Sequence, residues 1–194
     1  DFHLDFDLKP EGLTVFDVCD KAESFGWGGR VTIGHVSKLS ALPLKELEAA
    51  SQRLASAGVA LTVLPATDLF LMGGDHEQNV PRGVAPVTRA AANGVTSALS
   101  TNNVLNPFTP FGDCSLLRMA NLYANVGQIG TRQGHRQCLS YVTDSPARLM
   151  RLPDYGIEVG KTADFVVLDG KGAEAAVREI AAPLAGFPAG RKTF

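Results

Sequence analysis

Four polar residues able to do acid–base or ligand chemistry recur at near-constant intervals. They are His3, His35, Asp68 and Asn102, with separations of 32, 33 and 34 residues (35−3, 68−35, 102−68). An imidazole ligates metals or exchanges a proton near neutral pH, and a carboxylate orients it or takes a proton. An amide only donates and accepts hydrogen bonds. Each of the four lies at or near the C-terminal end of a short apolar or β-branched stretch: Asp1–Phe6, Arg30–Val36, Ala60–Ala66 and Gly94–Thr101. Polar groups delivered once per repeat converge when the repeats stack side by side.

Each stretch is followed by a segment with helical character. Thr14–Phe25 carries Val15, Val18, Cys19, Ala22 and Phe25 on one face at helical spacing. Pro43–Ala57 opens on a proline suited to a first turn and is followed by Gly58, suited to a C-terminal cap. After the third stretch come a long loop and Pro86–Asn93, ended by Gly94; after the fourth comes Ser115–Val126. A βα unit of a TIM barrel takes roughly 31 residues, from about 250 shared by eight units. The spacing therefore predicts four βα units with a parallel sheet. An open doubly wound sheet is the alternative, but no G-x-G-x-x-G follows any strand, and Gly26-Trp27-Gly28-Gly29 precedes one instead. Four units cannot close a barrel. The expectation is that another segment supplies the remaining strands or that two copies pair.

Beyond a helix-like Gln137–Arg151 the character changes. Tyr155–Asp169 reads as turn, strand and turn, Ala173–Arg178 as a short helix, and Gly190–Phe194 as a strand that stops early. The expected division is a barrel portion at 1–152 and a small β layer at 153–194. The chain opens inside a predicted strand without an initiator Met, which predicts a cut chain. A composition of 45% hydrophobic and 20% charged residues is that of a soluble globular protein. A net charge of −2, with no basic stretch, argues against nucleic acid or anionic membrane as partner. No apolar run reaches membrane-spanning length. Cys19, Cys114 and Cys138 form no C-x-x-C pair, so a disulfide framework and a zinc knuckle are both disfavoured, buried inert thiols are expected, and the expected compartment is the cytoplasm.

The run Gly156–Asp169 is similar to the G-x-[IL]-x-x-G-x-x-A-D-[FLI]-[VIL] signature near the end of amidohydrolase superfamily enzymes. Thr143–Leu149 resembles the T-x-x-P-A-[RK] helix of the same superfamily. Three further segments narrow the resemblance to cytosine deaminase and its N-isopropylammelide hydrolase cousins: Asp1–Asp5 (D-x-H-x-D), Gly29–His35 (G-R-V-T-x-x-H) and Asn102–Gly112 (against D-D-V-x-D-P-[WF]-x-P-x-G). The resemblance implies an α/β fold comprising the second half of a TIM (β/α)8 barrel, strands five to eight, plus strands of a small C-terminal β-sandwich. It also implies a divalent metal, zinc or iron, that activates water to cleave a C–N bond of a small cyclic or amide-like substrate. The N-terminal barrel half, or a second copy, would complete the site.

Carried onto this sequence, the resemblance makes His3 the metal ligand and gives His35 the substrate or the attacking water. The strand-eight Asp of the family, ligand and base at once, is Asn102 here. The Glu that shuttles the proton, three residues after the strand-five His, is Phe6. Asp5 shares by alternation the side of His3 and is the candidate replacement for that Glu. Asn102 and Asn103 are expected to face the pocket, with a turn pair as the alternative. Phe108 is expected to wall a flat heterocycle or to sit in the core. Asp68 is expected to line the mouth or cap a loop. His76 and His135 match no ligand position. The departures at Asn102 and Phe6 keep a second expectation open, a catalytically impaired or non-metal ligand-binding relative.

Overall fold

The computed structural model describes residues 1–194. Four short strands, β1 (Phe2–Leu4), β2 (Val31–His35), β3 (Val59–Val63) and β4 (Ser97–Leu99), pair in parallel in the order β1-β2-β3-β4. Between them run α1 (Val15–Ser24), α2 (Leu44–Ala57), α3 (Pro65–Leu71) and α4 (Val87–Ala92), with a 3₁₀ turn at Ser37–Ser40. The sheet is an α/β parallel sheet, as the repeat predicts. Alternation sorts its side chains. Ile33 and Leu61 stand in register on one face and join Val15, Cys19, Leu47, Leu54 and Val63 in the buried core under the helices. On the opposite parity His3, Gly34, Thr62 and Ala98 form one cross-strand row. Gly58 caps α2 in the left-handed conformation, at φ +65°, and a Cβ there would meet the Gly29 backbone nitrogen at 2.7 Å.

The helical reading of Gln137–Arg151 is corrected. Here α5 (Leu116–Val126) is followed by α6 (Arg132–Ser140) and a separate α7 (Asp144–Leu149). Pro146 has no N–H and fits a helix only in its first turn, so the helix restarts just before it. At the break the Tyr141 carbonyl accepts the Leu99 N–H of β4 at 2.9 Å. The third predicted strand is also shortened, because Pro65 begins α3 and not a strand end. In the tail, β5 (Phe165–Leu168) pairs antiparallel with β6 (Pro183–Phe187), and the Phe165 and Phe187 rings stack 4.7 Å apart. The terminal strand expected at Gly190–Phe194 is absent; β6 lies upstream of it. Between the two tail strands, α8 (Ala173–Glu179) packs on α5 and α6, with Val177 fully buried and the Asn121 amide donating to its carbonyl at 2.9 Å. No helix is long and apolar enough to cross a membrane.

Candidate functional site

The strand ends bring His3, His35, Asp68 and Asn102 into one connected group. His3 lies flat against Gly34, where a Cβ would come within 2.8 Å of its ring. The register pairs His3 with Gly34, so alternation alone would send His35 to the opposite face. The backbone prevents this. His35 adopts φ 64° and Val36 φ 51°, left-handed values that are costly for a β-branched residue. The His35 ring accordingly meets His3 edge-on, with centroids 4.7 Å apart, and Phe6 at 4.4 Å.

His35 is buried and its Nδ1 lies 2.5 Å from Asp68 Oδ1. Asp68 sits in the first turn of α3, fully buried, and its Oδ2 accepts the Leu64 N–H at 3.3 Å. Burial raises the Asp68 carboxyl above the usual range, and the hydrogen bond from His35 opposes that rise. On the other side of the ring, His35 Nε2 faces Asn102 Nδ2 at 3.4 Å. Asn102 is itself left-handed, at φ 59°, and exposed. His3 is partly exposed, and burial followed by the neighbouring His35 lowers its pKa. The group thus has a buried, anchored side (Asp68, His35) and a solvent-facing side (His3, Asn102).

Asp5 is assigned a different task from the catalytic one expected of it. With φ 50° its carboxylate turns to the start of α1. Oδ1 accepts from Thr14 N at 3.0 Å and Thr14 Oγ1 at 2.6 Å, and Oδ2 from Val15 N at 3.1 Å. The Thr14 side chain makes no capping hydrogen bond to α1, so Asp5 supplies the missing acceptor from nine residues upstream. Phe108 does not sit in the core. It is 59% exposed, on a turn where Asn106 Oδ1 accepts the Phe108 and Thr109 N–H groups. Phe70 and Phe111 pack edge to face at 5.6 Å and line an apolar cavity of about 380 Å³ that Asn103 also helps to line. Neither aromatic was singled out from the sequence. Phe111 lies within the Asn102–Gly112 segment and was the available signal; Phe70 lies within the unrecognised α3. The buried hydroxyls of Thr67 and Thr109, 2.6 Å apart, tie α3 to this loop. Cys114 is exposed at the same cavity, unlike buried Cys19 and Cys138. A larger hollow of about 560 Å³, between Leu39, Leu44, Arg89 and Tyr123, holds no histidine or carboxylate.

The donors on this chain do not make up a metal site. No group of three or more His, Cys, Asp or Glu side chains converges to hold an ion. His3 Nε2 points toward Asp1 at 3.5 Å, His35 Nδ1 is taken by Asp68, and Asn102 offers a neutral amide.

A parallel sheet with its polar residues gathered at the C-terminal strand ends defines a protein of the α/β class. Residues 3–184 match the amidohydrolase family, and the chain belongs to that family. It is 28% identical over 174 residues to a pterin deaminase of Rhizobium rhizogenes, covering 88% of this chain and 39% of that protein. Among solved structures, a 5-methylcytosine deaminase from Klebsiella pneumoniae liganded with 5-fluorocytosine superposes with a TM-score of 0.92 at 23% identity, over 99% of this chain and 47% of that one. An N-isopropylammelide isopropylaminohydrolase from Burkholderia multivorans gives 0.79 at 26%, over 91% and 42%. An adenosine deaminase from Xanthomonas campestris with bound zinc gives 0.64 at 18%, over 89% and 39%. The chain spans about two fifths of the length of the curated relatives it matches (39%).

Proposed function

We propose that the protein carrying this chain is a hydrolase that cleaves a C–N bond of a small, flat, nitrogen-containing compound, as a cytosine deaminase-like amidohydrolase does. In this reading residues 1–152 are strands five to eight of a TIM barrel with their helices, and residues 153–194 are part of a small β layer. The other barrel half, in the same or another polypeptide, completes the site in the cytoplasm. A divalent metal, zinc or iron, would take His3 as this chain's ligand, with the remaining donors coming from outside it. The observation that carries the reading is the meeting of His3, His35 and Asn102 at the C-terminal strand ends, with Asp68 anchoring His35. His35 Nε2, unprotonated, accepts a hydrogen bond or takes a proton from water or a ring N–H. Asn102 and Asn103 hydrogen-bond the substrate, and Phe70 and Phe111 offer an apolar wall.

The tilted packing of Phe6 on His35 favours a second reading, a relative that binds such a ligand without turning it over. Metal analysis of the purified protein, with assays of ammonia release from cytosine and pterin and of isopropylamine release from N-isopropylammelide, separates the two. Stoichiometric metal and turnover support the hydrolase. Binding without metal or turnover supports the second reading, and neither binding nor turnover sinks both.

A further inference from the structure

Hydrogen-bond capacity runs in one direction along Asp68, His35 and Asn102. Both Asp68 oxygens are committed, Oδ2 to the Leu64 N–H and Oδ1 to His35 Nδ1. A carboxylate only accepts, so the hydrogen between Asp68 and His35 sits on Nδ1. In a neutral ring Nε2 is then a bare acceptor, and the group it faces is the Asn102 Nδ2 amide, a donor. The Asn102 amide is thereby oriented with its nitrogen toward the imidazole and its Oδ1 free. An aspartate at position 102 would have no hydrogen to offer Nε2; the arrangement depends on the neutral amide found here.

We propose that Asp68 is a positioning residue that sets the Asn102 amide through His35 and makes Asn102 Oδ1 the acceptor presented to a ligand. The ligand class this selects carries a ring N–H or an amino group at that point. A bare carbonyl there would meet another oxygen and lose a hydrogen bond. The proposal rests on the reading of the strand ends as a ligand site.

Histidine-selective ¹⁵N labelling with long-range ¹H–¹⁵N correlation reads the tautomer directly, and His35→Gln identifies the His35 signals by their loss. The expected pattern is a protonated Nδ1 and a bare Nε2, with cross-peaks from the Asn102 side-chain amide protons to the His35 ring. In Asp68→Asn the single amide oxygen is claimed by the Leu64 N–H. The amide nitrogen then faces Nδ1, and the tautomer shifts to Nε2–H. A wild-type ring protonated at Nε2, alone or together with Nδ1, overturns the proposal. So does a folded Asp68→Asn protein with an unchanged tautomer. If Asp68→Asn does not fold, the wild-type tautomer and the Asn102 cross-peaks decide. Cytosine, used as the probe, should shift the Asn102 amide signals in wild type and leave them in place in Asp68→Asn. No shift in wild type, or equal shifts in both, overturns the ligand assignment. None of these readouts requires turnover, so an inactive protein with the expected tautomer defeats the functional proposal and leaves this one standing.

Discussion

Replacing Asp5 by Ala tests whether its carboxylate is structural or catalytic. The side chain is 1% exposed and accepts three hydrogen bonds at the start of α1, from Thr14 N, Thr14 Oγ1 and Val15 N. Thr14 is exposed, so water replaces the acceptor it loses. Val15 is fully buried, and its N–H is left without a partner. One buried unsatisfied donor costs about 1–3 kcal/mol. The negative charge lost from the helix N-terminus adds about 0.3–1 kcal/mol. Lys38, 3.8 Å from Asp5, keeps Asp7 at 3.5 Å and the Glu11 and Gly12 carbonyls, so its contribution is small. The sum is a loss of roughly 1.3–4 kcal/mol, which for a chain of this size lowers Tm by roughly 3–16 °C. Asp5→Asn, which keeps one acceptor oxygen, should fall between wild type and Ala. Thermal and urea unfolding followed by circular dichroism measure the change. Under a structural role, any activity of the completed protein tracks the folded fraction. A loss of turnover with Tm unmoved would refute the capping argument and return Asp5 to the chemistry.

Three further outcomes are expected. Asn102→Asp should raise zinc or iron binding, read by metal analysis, whereas Phe6→Glu should cost about 1–3 kcal/mol by placing a carboxylate against the His35 ring; neither alone should create deamination, because ligand and proton shuttle act in one step. Gly34→Ala should push the His3 ring away, since the new Cβ falls 2.8 Å from it, and should weaken nuclear Overhauser contacts between His3 and His35 while the protein stays folded. Asp113, held at about 2 chiefly by the Arg118 guanidinium, should titrate near that value by NMR and move up in Arg118→Gln. Its folded-state pKa is depressed, so any stability it contributes is present above the usual carboxylate range and lost as pH falls through about 2.

The parallel sheet was legible because β-branched runs and helical faces repeat at a period of one βα unit, and local pattern suffices for both. Pro43 and Gly58 bracket α2 for the same local reason. The elements that went unread are those settled by distant partners. One turn of α3 is anchored by Asp68 to Leu64 and His35, and the break between α6 and α7 by a carbonyl given to β4. Neither bond leaves a periodic trace in the sequence.

The site divides along the same line. The residue types and spacing of His3, His35, Asp68 and Asn102 mark them as candidates, and the structure links His3, Asp68 and Asn102 through His35. Where their side chains point was not legible, because alternation holds only inside a strand. Asp5, His35 and Asn102 each lie at or just beyond a strand end and have positive φ. Alternation assigns Asp5 to the side of His3 and takes His35 away from it, and the left-handed turns reverse both assignments. Such conformations cost of order 1–3 kcal/mol each for residues other than glycine and persist only where surrounding contacts over-determine them. For Asp5 those contacts are the N–H groups of α1, and for His35 they are Asp68 and Phe6. Relieving the strain at His35 by substituting glycine would remove the imidazole with it. The strain and the polar group are therefore one feature, and its cost is justified only if the orientation of His35 is what the site requires.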